Sequence, residues 1–241
     1  DTAHIGHGAG WGEMEYYPGG MAEYCQVWSD KVYPFEKISY EEASALDFAA
    51  VALASVRKVP KVFAEDAAVI GGGPVGLMII QLLKLNGARR VYCIDVLDYS
   101  FKAAKECGAD ECILMNEDAV SGILERTQGL GSAAVFDTVG AAESQKLALG
   151  ICKARGTVVN VASNENTVQM RLSDLYGEKS IVSVANAKDE YFYDCLKMME
   201  AGRIDVKPLI TDIIPLSQVK DGFGRLMTRS QSGAIKVILV P

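Results

Sequence analysis

The 241-residue sequence contains only two histidines, and none of its six cysteines form a C-x-x-C pair. No apolar run approaches the ~18 residues that a membrane-spanning helix needs. There is no internal repeat and no low-complexity tract. Scattered cysteines argue against a disulfide framework, and a reducing cytoplasm is expected. Lys and Arg number 24 against 31 Asp and Glu, a net charge of −7. That balance excludes the basic surface expected for nucleic acid or anionic membranes. The first residue is Asp1, not methionine, and the opening twenty residues carry glycines, both histidines and no core pattern. His4-x-x-His7 near Glu13 reads as a solvated terminus in preference to a metal cluster. Apolar residues make up 49% of the chain, enough for a large core at this length.

The densest signal is Ala67-Ala68-Val69-Ile70-Gly71-Gly72-Gly73-Pro74-Val75-Gly76. A short apolar strand runs into glycines at 71, 73 and 76, the G-x-G-x-x-G spacing. Gly71 suits the tight turn, Gly73 lets backbone approach a pyrophosphate, and Gly76 lets the helix pack on the strand. Pro74 opens a helix whose positive end faces the phosphates. Val75, Met78, Ile79 and Leu82 recur at helical spacing, and Asn86-Gly87 stops the run. A second strand, Val91-Tyr92-Cys93-Ile94, ends in Asp95, 24 residues beyond Gly71, where a carboxylate accepts hydrogen bonds from ribose hydroxyls. It would also repel a 2′-phosphate, and no arginine follows within five positions, so NAD is expected over NADP.

Beyond this unit strands and helices alternate. Helices are expected over 101–107, 118–128 and 141–153, and strands over 111–115, 133–137, 157–161 and 180–184. The pattern predicts an α/β fold with a doubly wound parallel sheet of Rossmann type. Ligands on such sheets bind at the carboxyl ends of strands, which places Thr138-Val139-Gly140 and Val161-Ala162-Ser163 on the cofactor side. Upstream, Gly19–Trp28 reads as a glycine turn and a half-buried strand. Ser39 and Glu42 form a capping box, and 46–59 reads as a helix ending before Pro60. Downstream come a helix over 192–199, a strand over 210–214, a helix through Leu226 and a last strand over 235–240. Cys93 and Cys112 fall inside strands, where free thiols act as small hydrophobes. Tyr193-x-x-x-Lys197 has the spacing of a short-chain dehydrogenase pair, but the apolar stripe 192/195/196/199 makes it a helix-surface pair. A methyltransferase could also use Asp95 for a ribose, but it has no need of a pyrophosphate on a helix N-terminus.

These motifs, with Gly19-Gly20-Met21-Ala22-Glu23-Tyr24, Leu46–Leu53, Phe136–Gly140, Asp205–Ile210 and Ala234–Pro241, resemble the zinc-dependent medium-chain alcohol and polyol dehydrogenases, nearest the sorbitol- and threonine-dehydrogenase-like branch. The resemblance implies NAD in the Rossmann domain and a catalytic zinc in a cleft against a GroES-like barrel. It also implies an alcohol or polyol substrate and a homodimer or homotetramer. In the family most of that barrel, with the zinc-binding Cys and His-Glu motifs, precedes the stretch seen here, so residues 1–46 are expected to be its remnant. Residues 47–186 are then the NAD-binding domain, and 187–241 return to the catalytic domain. Carried over by position, Gly71, Gly73, Pro74, Val75 and Gly76 would hold the pyrophosphate, and Asp95 the adenosine ribose. Thr138, Val139, Val161, Ala162, Ser163, Ala185 and Asn186 would line the nicotinamide side. Lys236 stands where some members bring a basic residue to the pyrophosphate. Ser100 stands where a basic residue is common, and Asn186 where polyol members often carry arginine. Asp47 falls at a position that touches the zinc or its water in the family, which makes it the catalytic and metal candidate. One carboxylate is no zinc site, since catalytic zinc takes three protein ligands, so alone it reads as a solvated helix-start residue. The alternative reading is a non-catalytic dinucleotide-binding module.

Overall fold

A computed structural model describes residues 8–11, 14–16, 20–22, 24–25, 27–185 and 187–241. His4, His7, Glu13 and Asn186 lie outside the described residues, as do Gly19, Glu23 and Gln26. A hairpin of β1 (Gly8–Trp11) and β2 (Met14–Tyr16) comes first, unanticipated by the sequence pattern. The strand expected after Gly20 is not formed among its described residues. Tyr24 is 90% exposed. The capping box is present. Ser39 N–H donates to Glu42 Oε2 at 2.8 Å and Glu42 N–H to Ser39 Oγ at 3.2 Å, starting α1 (Tyr40–Ala43). Next is α2 (Leu46–Val56), whose small alanines let it lie close against its neighbours.

From here strand and helix alternate: β3 (Asp66–Ile70), α3 (Pro74–Leu85), β4 (Arg90–Asp95), α4 (Phe101–Glu106), β5 (Glu111–Leu114) and α5 (Ala119–Arg126). Then come β6 (Ser132–Asp137), α6 (Ala142–Ile151), β7 (Cys152–Asn160) and β8 (Ser180–Ser183). The six strands form one parallel sheet in the order β5-β4-β3-β6-β7-β8. This is the doubly wound Rossmann order, with the direction of strand progression reversing between β3 and β6. β7 begins earlier than its sequence pattern suggested. Residues 152–156, of which only 152 and 153 were expected to end a helix, join the strand through a register shift against β6, with Arg155 in the left-handed region at φ 61°.

Both faces of the sheet are covered. Ala67, Val69, Val91, Cys93, Ala134 and Phe136 point into one core with α2 and α3. Ala68, Ile70, Tyr92, Ile94 and Val135 point into the other with α5 and α6. The two-residue alternation of strand side chains produces this division. Leu77–Ile80, Leu82 and Leu83 are all buried, because α3 is sandwiched between the sheet and α2. Beyond the sheet lie α7 (Asp189–Glu200), β9 (Ile210–Pro215), α8 (Val219–Met227), α9 (Arg229–Ser232) and β10 (Lys236–Val240). β9 and β10 pair with each other in parallel, apart from the main sheet. Tyr193 sits on the half-exposed side of α7 while Cys195, Leu196 and Met199 are buried, as the apolar stripe suggested. Among the described residues no helix is long and apolar enough to cross a membrane.

Candidate functional site

The crevice at the carboxyl ends of β3 and β6 is set by the glycine turn. Gly71 has φ +99°, a conformation favourable only without a side chain, and a Cβ there would meet Thr138 Oγ1 at 2.2 Å. Gly76 brings α3 against β3: its Cβ would meet Gly71 O at 2.0 Å and Val69 Cγ1 at 3.3 Å. Gly73, the N-cap, has nothing within 4 Å of where a Cβ would stand. The glycine is therefore not required there by the protein's own packing, and the space above it is open. Pro74 occupies the first helical position, where its missing N–H costs nothing. The remaining first-turn N–H groups lack intrahelical acceptors and point into that space.

Asp95, at the end of β4, lies against the same turn. Its Oδ2 accepts the Gly72 N–H at 2.6 Å and its Oδ1 the Leu97 N–H at 3.1 Å. A carboxylate offers about four lone-pair sites, so acceptor capacity is left on both oxygens. No ion pair engages Asp95 among the described residues. Ser100 is fully buried, and its Oγ has no hydrogen-bond partner in the structure. A Cβ on Gly72 would fall 2.1 Å from that Oγ and 3.4 Å from Asp95 Oδ2. An orphaned hydroxyl, a partly satisfied carboxylate and an open helix start thus converge. These groups fit the sugar and diphosphate of a dinucleotide.

The opposite wall is built by a network that the sequence pattern did not single out. Asp137 is fully buried at the end of β6. Its Oδ1 accepts the Val139 and Gly140 N–H groups at 2.9 and 3.0 Å, and its Oδ2 accepts from Ser144 Oγ and Gln145 Nε2 at 2.8 and 2.7 Å. Gln145 also reaches Asn160 Oδ1 at 3.3 Å, tying the ends of β6 and β7. Thr138 Oγ1 donates to Ile70 O at 2.8 Å, fixing this loop beside Gly71. Val161 N–H donates to the Asp137 carbonyl at 2.9 Å, so Val161 and Ala162 flank the loop half-buried, with Ser163 exposed. Ala185 is exposed just past β8. Val96, Leu114 and Val139 are 65%, 47% and 47% exposed at these strand ends, an apolar lip against which flat rings would pack. Their signal in the sequence was their place directly after or at the end of a strand.

Asp47 and Lys236 lie near one another. Asp47 is exposed in the first turn of α2. The Lys236 ammonium lies 4.3 Å from the Phe48 ring centroid, and burial lowers its pKa while Asp47 opposes the shift. No hydrogen bond or ion pair joins either residue to the glycine turn among the described residues. Nor do any three of His, Cys, Asp and Glu come together there as a metal site. The described residues by themselves therefore supply no complete zinc site.

A parallel sheet in this order, with a glycine turn, an acid at the next strand end and a helix start above open space, defines a Rossmann-type dinucleotide-binding fold. The family model for zinc-binding dehydrogenases matches residues 74–201, more than half of the chain, and the chain belongs to that family. It is 28% identical over 230 residues to the (R,R)-butanediol dehydrogenase of Bacillus subtilis, covering 92% of this chain and 64% of the relative. To the L-threonine 3-dehydrogenase of Caldanaerobacter subterraneus subsp. tengcongensis it is 30% identical over 239 residues, covering 92% and 65%. The chain thus spans a little under two thirds of the length of these relatives. Among solved structures, 2R,3R-butanediol dehydrogenase from Bacillus subtilis aligns with TM-score 0.83 at 26% identity, covering 99% of this chain and 72% of that one. Alcohol dehydrogenase from Thermus sp. ATN1 aligns with TM-score 0.82 at 26% identity, covering 94% and 68%.

Proposed function

We propose that this chain binds NAD through residues 47–186 and serves an NAD-dependent oxidoreductase that moves hydride between a secondary alcohol, or polyol, and the nicotinamide. The observation that carries the reading is Asp95 clasping Gly72 beside the open space over Gly73. Gly71, Gly73, Pro74, Val75 and Gly76 shape the diphosphate seat, where first-turn N–H groups donate to phosphate oxygens. Asp95 accepts from the ribose hydroxyls, Ser100 offers its unpartnered hydroxyl, and a 2′-phosphate is repelled. Thr138, Val139, Val161, Ala162, Ser163 and Ala185 line the far side, with Asn186 next in the chain. Asp137 orients that wall without touching the cofactor. NAD, when bound, supplies the hydride acceptor, and the protein orients it and excludes water.

The zinc implied by the family would polarise the alcohol oxygen. Asp47 is the described residue proposed to face it, and its remaining ligands would come from outside the described set. The relatives named for butanediol and threonine dehydrogenation support an alcohol substrate. A self-associated protein in a reducing cytoplasm completes the proposal. β8 leaves one edge of the sheet unpaired among the described residues, with Ile181 40% exposed on it. The absence of a three-ligand cluster among the described residues favours a second reading, a dinucleotide-binding module without its own turnover. Titration of NADH fluorescence tests binding, and a steady-state assay with zinc separates the two readings. Robust zinc-dependent oxidation by these 241 residues would reject the second, and failure to bind NADH would reject both.

A further inference from the structure

Cys93 and Cys112 are register partners on the neighbouring parallel strands β4 and β5. Directly paired residues point to the same face of a sheet, and here both side chains pack in the core that α3 and α4 share. Cys93 is fully buried, whereas Cys112 is half-buried on the short edge strand, its Sγ 3.6 Å from the Phe101 carbonyl oxygen. Adjacent strands hold their paired Cα atoms about 5 Å apart, inside the range a disulfide bridges. Cys93, Cys107, Cys112, Cys152 and Cys195 are free thiols.

The two sulfurs are not equivalent. Cys112 is the more accessible of the two, and the neighbouring Cys93, with Lys105 assisting, draws its thiol pKa down. The Cys112 neighbour and burial push the Cys93 thiol up. Cys112 is therefore the nucleophile and Cys93 the resolving thiol poised beside it. The third cysteine of this region, Cys107, is engaged otherwise. It is buried, its thiol is pushed up to about 11 by desolvation, and its Sγ accepts Gln81 Nε2 at 3.3 Å.

We propose that Cys93 and Cys112 form a reversible intrachain disulfide when the protein meets an oxidant of the peroxide class. The Cys112 thiolate attacks one peroxide oxygen, the O–O bond breaks, and the departing hydroxide takes a proton to become water. The resulting sulfenic acid is attacked by the Cys93 sulfur. The S–O bond breaks, the S–S bond forms, and the hydroxide leaves with the Cys93 proton as a second water. Two electrons pass from the sulfurs to the peroxide, and a thiol reductant reverses the change. The bond staples the edge strand β5 to β4 two residues before Asp95.

The test is intact-mass analysis of the full chain after stoichiometric hydrogen peroxide and alkylation, with peptide mapping. The expected result is loss of two hydrogens, one cross-linked peptide joining residues 93 and 112, and full reversal by dithiothreitol. Cys112→Ser on the edge strand abolishes the cross-link, whereas Cys107→Ser and Cys25→Ser retain it. Cys93→Ser leaves Cys112 as a sulfenic acid that a dimedone probe traps. Should Cys93→Ser not fold, the wild-type peptide map still decides. Four free thiols at 93, 107, 112 and 152 after peroxide, or a bridge from Cys112 to any other cysteine, would overturn the proposal. Because the readout is covalent, it is independent of whether NADH binds.

Discussion

The three glycines of the turn carry different loads. Gly76→Ala drives a methyl into the Gly71 carbonyl and should cost about 2 kcal/mol, read from denaturant midpoints. Gly73→Ala meets nothing, so stability should hold within about 0.5 kcal/mol. The methyl would instead stand in the space reserved for the diphosphate, and NADH affinity should fall at least about tenfold, the equivalent of ~1.4 kcal/mol. Unchanged NADH affinity in Gly73→Ala would place the diphosphate elsewhere. Ala64 sits at φ 61°, a left-handed conformation that costs an L-residue energy, while its N–H donates to Gly87 O at 2.8 Å. Ala64→Gly should therefore stabilise the fold by about 1 kcal/mol, and a lower melting temperature would contradict that. The glycine spacing and Asp95 were legible because each is a local motif. Asp137 was not, because its importance rests on four donors that only the folded loop and α6 bring together.

Among the elements, β3 and β4 are joined at their starts by Asp66, whose side chain is 2% exposed and receives Arg89 at 2.8 Å and Arg90 at 2.8 Å. Desolvation pushes the Asp66 pKa up, but the hydrogen bonds and charges of both arginines outweigh it, and the net shift is downward. A depressed folded-state pKa favours the ionised form in the fold. Its contribution is thus complete above the ordinary carboxylate range near pH 4 and is lost as pH falls through the folded value. Asp66→Asn should cost about 2 kcal/mol at pH 7, discounted for the exposure of both arginines, and should flatten the acid limb of the stability profile. An acid limb identical to wild type would contradict this. Strand and helix order from 66 to 183 was readable because buried parallel strands and their helices have distinct lengths and glycine stops. The β1–β2 hairpin and the early start of β7 were not readable. Their pairing depends on partners distant from the local pattern, and Gly8–Trp11 carries too little apolar alternation to announce a strand. The thiol pair of β4 and β5 has the same character: each cysteine was visible, but their register was not.

For the whole molecule, the open edge of β8 is the surface on which self-association is proposed. Ile181→Lys places a charge on that edge, a device that blocks strand pairing, and should shift the sedimenting species towards monomer. A wild-type chain that is monomeric at every concentration would contradict the proposal. The fold class followed from alternation alone, whereas metal ligation is a property of convergence, and the described residues bring no ligand set together around Asp47. The account rests on a dinucleotide seated over the start of α3 with its ribose on Asp95. Calorimetric titration of the chain with NADH and NADPH, repeated on Asp95→Ala, tests this most directly. The account predicts saturable one-to-one binding of NADH, weaker binding of NADPH, and a narrowed gap in the variant. No binding of either, or equal affinity for both in the wild-type chain, would contradict it.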